Sequence, residues 1–411
     1  MLFIRTFFVK SHPTPLQSVH TEPLPLMPLL ALAMTGFICI VTETLPAGLL
    51  PQISTSMHIS SAMAGQMVTV YAIGSLVTAI PLTIATRSWN RKHVLLLAIV
   101  GFLIFNSVTA FSNHYSLTLI SRFFAGTSAG LAWSIIAGYA RRLVATHQQG
   151  RALAIAMIGT PIALSLGVPL GTWMGNLIGW RMIFWIMSAF TLILIIWIVI
   201  KMPDYVGQTV RENFQFKKVL TTSGVRSVLA VVLTWMLAHN ILYTYIAPFV
   251  ETAGLGNRVD LILFAFGMSA LIGIWITGRL VDAYLRRITL ISLATFTLLA
   301  IIWGFCAQYA VIVYIGVIFW GITFGGAATL LQTALADAAG NEADVALSIN
   351  VVVWNTAIAI AGIIGGILLN HLGVASFPWV ISSLLMIAFL IVWNAHSHGF
   401  KKGYRNTEVE Q

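Results

Sequence analysis

The chain has 411 residues, 58% of them hydrophobic and only 8% charged, with a mean hydropathy of +0.91. Soluble domains carry about 25% charged residues, so this composition excludes a water-soluble globular fold. The net charge of +10 comes from short basic clusters between apolar runs, a pattern of membrane topology and not of nucleic-acid binding.

Twelve apolar runs of helix-spanning length follow one another, near residues 27–50, 63–85, 93–111, 116–140, 151–175, 182–201, 226–250, 260–281, 288–306, 309–335, 344–369 and 375–395. A span needs roughly 20 apolar residues, and the short polarity alternation of outer-membrane strands is absent from the pattern. Residues 1–26 carry Arg5, Lys10 and four prolines. They read as a disordered tail and not as a signal peptide, because no small-residue cleavage pattern follows.

Span 1 contains Thr42, Glu43, Thr44, Leu45 and Pro46 and reads to Pro51. Glu43 is the one carboxylate placed well inside the first six runs, roughly 12 Å from Pro51 along a helix. An acid at that depth is a functional candidate, because an acid held away from water can exchange protons in the physiological range. The alternatives are an acid exposed to an outer vestibule and a partner for Arg122. Between spans 2 and 3 lies the basic cluster from Arg87 to His93, with Arg91 and Lys92.

Span 4 opens on Arg122-Phe123-Phe124-Ala125-Gly126 and continues to Gly130 and Trp133. These four named positions, Arg122, Gly126, Gly130 and Trp133, lie near one helical face. An arginine at mid-bilayer costs roughly 2.5–3.5 kcal/mol on insertion scales, so it either faces the bundle interior or snorkels to the near surface. Span 5 carries Gly167-Val168-Pro169-Leu170-Gly171, then Gly175 and Gly179-Trp180-Arg181. Glycines every four residues give a smooth stripe for a close helix neighbour, and Pro169 removes one backbone bond and bends the helix.

Residues 202–225 form the longest inner connection and divide the runs six and six. Span 7 carries His239, Asn240, Tyr243 and Tyr245 before Pro248, with His239 and Tyr243 on one face. They are candidates to line a substrate cavity, as are Trp133, Gln332 on span 10, and Asn350 and Trp354 on span 11. A lone histidine is more often a hydrogen-bonded packing residue. Between spans 8 and 9 stands Gly278-Arg279-Leu280-Val281-Asp282, ending on Arg286 and Arg287.

The halves are related. At an offset of 195 residues Phe124, Gly126 and Gly130 fall on Phe319, Gly321 and Gly325, Gly171 falls on Gly366, and Arg91 and Lys92 fall on Arg286 and Arg287. Duplicated six-helix halves are a transporter plan. The sequence therefore predicts an all-α integral membrane protein of twelve transmembrane helices in two six-helix pseudo-symmetric bundles, 27–201 and 226–395, with a tail at 1–26, a linker at 202–225 and a tail at 396–411. Basic residues gather on one side: Arg87, Arg91, Lys92, Arg141, Arg142, Arg151, Lys201, Arg211, Lys217, Lys218, Arg226, Arg286, Arg287, Lys401, Lys402 and Arg405. Only Arg181 and Arg258 fall in the loops opposite. The positive-inside rule then places both termini in the cytoplasm.

The chain resembles the major facilitator superfamily over about 27–395, and within it the drug:proton antiporter branch, which includes sugar, arabinose and nucleoside exporters. Four stretches carry the resemblance: the first-span signature around Glu43 and Pro46, the Arg122 motif, the Gly-Val-Pro-Leu-Gly motif with its Gly-Trp-Arg ending, and the loop from Gly278 to Arg287. The resemblance implies the major facilitator fold in a bacterial inner (plasma) membrane. It implies proton coupling at Glu43 and Arg122, and export through the span 5 motif of Gly167, Pro169 and Gly171. It also implies a cytoplasmic latch using Gly278, Asp282, Arg286 and Arg287, with Arg91 and Lys92 in the first half. The loops depart from the family at Leu285 and Asn90, where glycine is usual, and at Arg87, where an acid is usual.

The expected partners are a small-molecule substrate, protons and the lipid bilayer, with no nucleic acid, no cofactor and no metal, in a monomer. The leading expectation is proton-driven efflux of drugs or sugar-like metabolites; the alternative is proton-linked uptake. A membrane enzyme or a receptor is disfavoured, because the chain has no clustered histidines, no Gly-x-Ser-x-Gly elbow, no phosphate-binding loop and no soluble signalling domain.

Overall fold

A computed structural model describes residues 23–207 and 216–401. Arg5, Lys10, Arg211, Glu212, Lys402 and Arg405 lie outside the described residues. Span 1 is Leu26–Gly48, span 2 Ser61–Ala85, span 3 Arg91–Phe111, span 4 Tyr115–Arg142, span 5 Thr146–Ile178, span 6 Trp180–Lys201 and span 7 Val225–Thr244. Span 10 is Ala310–Ala339, span 11 Ala343–His371 and span 12 Phe377–Asn394.

Spans 8 and 9 come from one helix of 48 residues, Val259–Cys306. Straight, it would be about 72 Å long, more than twice a hydrocarbon core of about 30 Å. It turns at Tyr284, whose φ of −134° and ψ of 27° are not helical. Phe266 and Phe296, one on each arm, both lie against Trp320, with ring centroids 4.3 and 6.1 Å away. In a straight helix they would stand about 45 Å apart. The element therefore doubles back at a one-residue corner. The break expected at Arg286 and Arg287 falls instead at Tyr284, and both arginines are helical.

Pro51 does not end the first helical stretch either. The break comes at Leu49, and a short helix Leu50–Met57 follows with Pro51 in its first turn, where a missing N–H leaves no bond unmade. That helix stops at His58, in left-handed backbone with φ 53°. Ser60 then caps span 2, accepting a hydrogen bond from the Met63 N–H at 3.1 Å. Inside the spans, hydroxyls find partners on their own helix. Thr35, Thr289 and Thr297 donate to the carbonyls of Ala31, Leu285 and Leu293.

The internal repeat holds in space. A Cβ on Gly126 would strike the Tyr71 carbonyl, and one on Gly321 would strike the Phe266 carbonyl. Gly130 faces the Ser75 carbonyl as Gly325 faces that of Ala270. Both members of each pair are related by the 195-residue offset. So each half uses the same glycines to bring its fourth helix against its second.

Contacts between the halves join span 2 to span 11 and span 5 to span 8. Close approaches lie toward the face that carries Arg181 and Arg258. There a Cβ on Gly267 of span 8 would meet the backbone of Leu164 and Ser165, and Gly48 lies under Leu263. The interface is closed on this base-poor side. Beyond the closure a cleft of about 400 Å³ opens outward, lined by Gln52, Thr55, Asn176 and Asn257 among others.

Candidate coupling and substrate site

Span 5 explains where span 1 sits. Its glycines face successive turns of span 1: Gly159 meets the Ala33 carbonyl, Gly167 meets Phe37 and Val41, Gly171 meets Leu45, and Gly175 meets Leu49. Larger residues would push the helices apart. Between Gly159 and Pro169 the helix widens into a π turn, Ala163–Gly167. Pro169 lacks the N–H that would bond the Ser165 carbonyl, and a wider turn accommodates the loss. Span 5 also meets span 8 at this turn, so the π segment is wedged between the halves.

Span 1 carries Glu43 against span 4. Arg122 is fully buried and Glu43 is 8% exposed. The Arg122 Nε donates to the Met67 carbonyl of span 2 at 3.2 Å, and Nη2 donates to the Glu43 carbonyl at 3.3 Å. The guanidinium also lies 4.7 Å from the Tyr71 ring centroid and 5.7 Å from that of Phe184. These contacts hold the cation in the bundle interior. No ion pair joins Arg122 to the Glu43 carboxylate among the described residues. The Arg122 Nη1 is buried without a hydrogen-bond partner among them.

The surroundings extend this polar island. Tyr71 donates to the Cys39 carbonyl at 3.0 Å, and Asn106 of span 3 donates to Thr42 Oγ1 at 3.1 Å. The hydroxyls of Thr109 and Ser121 meet at 2.7 Å. From the other half, Tyr243 brings its hydroxyl beside Thr44 and Glu43. It too is buried without a partner of good hydrogen-bond geometry. The acid therefore sits where both halves reach it.

His239 lies one turn from Tyr243 in an aromatic box. Its ring stacks on Phe324 with centroids 3.4 Å apart and planes 4° from parallel, and it also faces Trp320 at 5.3 Å and Phe266 at 5.8 Å. Asn240 turns back to its own helix, donating to the Met236 carbonyl at 2.8 Å. Trp133 is half-buried beside Gly36 of span 1. Trp354 packs with Val68 and Ala72 of span 2, in the contact between the halves. Asn350 is buried, while Gln332 is exposed.

Tyr245 is placed in the closure on the base-poor side. Its hydroxyl donates to the Gly362 carbonyl of span 11 at 2.7 Å and lies 3.4 Å from the Ala62 carbonyl of span 2. Gln66 of span 2 donates to both the Tyr245 hydroxyl, at 3.3 Å, and the Gly362 carbonyl, at 3.1 Å. Gly65 and Gly365 make room for the ring. Gln66, Asn106, Trp320 and Phe324 join the site here without being among the sequence candidates. Gln66 and Asn106 had a signal, since amides inside apolar runs need partners. The aromatic pair had none, because such residues are common in any span.

The basic loops anchor helix ends within each half. Lys92 Nζ donates to the Val199 carbonyl near the end of span 6, at 2.9 Å. Arg286 does the same at the end of span 12, donating to the carbonyls of Val392, Trp393 and Phe400. Cations at helix C-termini complement the exposed carbonyls. Arg91 donates to the Arg87 carbonyl, and Arg287 stands over Tyr284, 5.7 Å from its centroid. Gly278 has open space where a Cβ would lie, and Asp282 is exposed. An acid from the connection after span 6 stands near this corner. Asp204 accepts from Asn90 Nδ2 at 2.8 Å and from the Lys92 backbone N–H at 3.2 Å, at the start of span 3.

The family model described as Major Facilitator Superfamily matches residues 32–343 and 257–403. The purine ribonucleoside efflux pump NepI of Escherichia coli (strain K12) is 31% identical to this chain, over 85% of the chain and 88% of the relative. The protein of that name from Shigella dysenteriae serotype 1 is 29% identical, over 85% and 89%. Among solved structures, a D-xylose-proton symporter superposes with a TM-score of 0.70 at 16% identity, covering 90% of this chain and 96% of the other. It shares the fold. With two six-span halves related by one offset and these matches along most of its length, the chain is a multi-pass membrane protein that belongs to the Major Facilitator Superfamily of transporters.

Proposed function

We propose that this chain exports a small organic molecule across the bacterial inner membrane in exchange for protons, with Glu43 as the proton-carrying group. The observation that carries this reading is the placement of Glu43. It is buried, has Tyr243 of the other half close by, and makes no ion pair among the described residues while Arg122 holds its backbone. A carboxyl in that position can be protonated from one side and released to the other as the halves rock, without first breaking a salt bridge. The relatives named as purine ribonucleoside efflux pumps support export and make purine ribonucleosides the first substrates to examine.

In this reading the basic face is cytoplasmic, with both termini there and the protein working as a monomer. The closed base-poor side is then the external side, and the present conformation faces the cytoplasm. Each proton entering down 100 mV supplies about 2.3 kcal/mol. The loops that hold Arg91, Lys92, Gly278, Asp282, Arg286 and Arg287 brace the cytoplasmic helix ends through the cycle.

The test uses everted membrane vesicles and radiolabelled inosine. Export predicts accumulation inside when the lumen is acidified, and collapse of that accumulation on adding a protonophore. Accumulation that ignores the pH gradient would remove proton coupling. Gradient-driven loss of inosine from the same vesicles would make the protein an importer.

A further inference from the structure

The aromatic box of the second half has a composition and geometry that packing alone does not account for. Its rings are His239, Tyr243, Phe266, Trp320 and Phe324. Three carry polar atoms: His239 Nδ1 and Trp320 Nε1 are buried without a hydrogen-bond partner among the described residues, and Tyr243 Oη has Thr44 beside it but no partner of good geometry. A buried polar atom left unpaired costs about 1–3 kcal/mol, so a site that only packs would not keep two of them side by side. The duplicated chain shows the contrast. At the 195-residue offset, the first half has Ala125 and Ala129 where the second has Trp320 and Phe324, and Thr44 where the second has His239. The box belongs to one half only, across from Glu43.

The stack inside the box is equally particular. His239 and Phe324 lie face to face at 3.4 Å and 4°, whereas aromatic side chains usually prefer offset or edge-on arrangements with centroids 4.5–7 Å apart. The spacing is that of stacked planar heterocycles. His239 is almost fully buried, but Phe324 is half-exposed. It directly precedes the helix break at Gly325 and Gly326 in span 10, where Ala310–Gly325 gives way to Ala327–Ala339. A ring next to a helix break can be displaced without unwinding the helix.

We infer that this box is the substrate's ring-binding slot: a planar heterocycle of the nucleobase kind takes the place of Phe324 on His239, with hydrogen bonds to Trp320 Nε1, Tyr243 Oη and His239 Nδ1. Trp320 Nε1 only donates, so the ligand must present an acceptor, as an oxo group or ring nitrogen does. Base–aromatic stacking accepts any flat π-face, and the polar atoms select among them. The slot rests on the transport reading, and it concerns binding and not energy coupling. Tyr243 links the two, because its hydroxyl reaches both the box and the neighbourhood of Glu43.

The experiment measures equilibrium binding of radiolabelled inosine to the purified full-length protein in nanodiscs, without any gradient. Unlabelled inosine and hypoxanthine should both compete, and D-ribose and D-xylose should not. Trp320→Phe keeps the ring and removes the donor, and should weaken inosine binding about tenfold. His239→Phe keeps a stacking surface without nitrogen and should weaken it several-fold. Tyr243→Phe should do likewise, and all three variants should melt within a few degrees of the parent. The slot is overturned if hypoxanthine fails to compete, if ribose competes as well as inosine, if Trp320→Phe binds inosine normally, or if inosine does not bind at millimolar concentration. Binding as expected with no pH-driven movement in vesicles would refute proton-coupled export while leaving the slot in place.

Discussion

Arg122 holds the backbone carbonyl of Glu43, at 3.3 Å, and its carboxylate makes no ion pair among the described residues. The cation fixes span 1 against span 4 and biases the field at the acid, yet proton uptake by Glu43 breaks no bond to Arg122. Glu43→Gln keeps the shape and removes the titrating group. It is expected to lower pH-driven inosine accumulation at least tenfold while leaving expression and inosine counterflow near normal, measured in the same vesicles. Normal uphill transport by this variant would remove Glu43 from the mechanism.

Tyr245 ties span 7 to spans 2 and 11 on the base-poor side. Tyr245→Phe deletes the bond to Gly362 and leaves the ring in its glycine cradle. A hydrogen bond of this kind contributes about 0.5–1.5 kcal/mol, so the closed state should lose a factor of roughly 2–10 in population. The check is labelling of Thr44→Cys, in a background of Cys39→Ser and Cys306→Ser, with a membrane-impermeant maleimide applied from the base-poor side. Labelling should quicken by that factor, and an unchanged rate would deny Tyr245 a gating role.

The glycine stripe of span 5 makes a prediction with an internal control. A Cβ on Gly159 would collide with the Ala33 carbonyl, which is backbone and cannot swing aside, whereas one on Gly138 would meet nothing within 4 Å. Gly159→Ala is expected to destabilise by about 1–3 kcal/mol through overpacking and to lower transport. Gly138→Ala should be neutral or slightly stabilising. Thermal unfolding followed with a thiol-reactive dye separates the two.

Asp204 reaches the start of span 3 from beyond the end of span 6. Asp204→Ala removes acceptors from Asn90 and from the Lys92 N–H, with an expected loss of about 1 kcal/mol, typical of an N-terminal cap. Asp204→Asn should retain most of it if the geometry matters more than the charge. Both are measured as shifts in unfolding temperature, and an unshifted Asp204→Ala would make the contact incidental.

The sequence by itself determined the architecture. Hydrophobic run lengths fix the spans because a bilayer sets one length, and the 195-residue offset marks the two halves because duplicated glycines serve duplicated contacts. The same logic singled out Glu43 and Arg122, since charge in an apolar run is costly enough to stand out from any background. What only the tertiary structure decided is which atoms meet. Arg122 chooses a carbonyl over a carboxylate, Tyr245 closes an interface instead of facing the open side, Asp204 caps the start of span 3, and spans 8 and 9 meet at Tyr284 without a loop. Phe324 and Trp320 become an aromatic box only when spans 7, 8 and 10 converge. Partners of this kind depend on contacts between residues far apart in the chain, and periodicity along one helix carries no record of them.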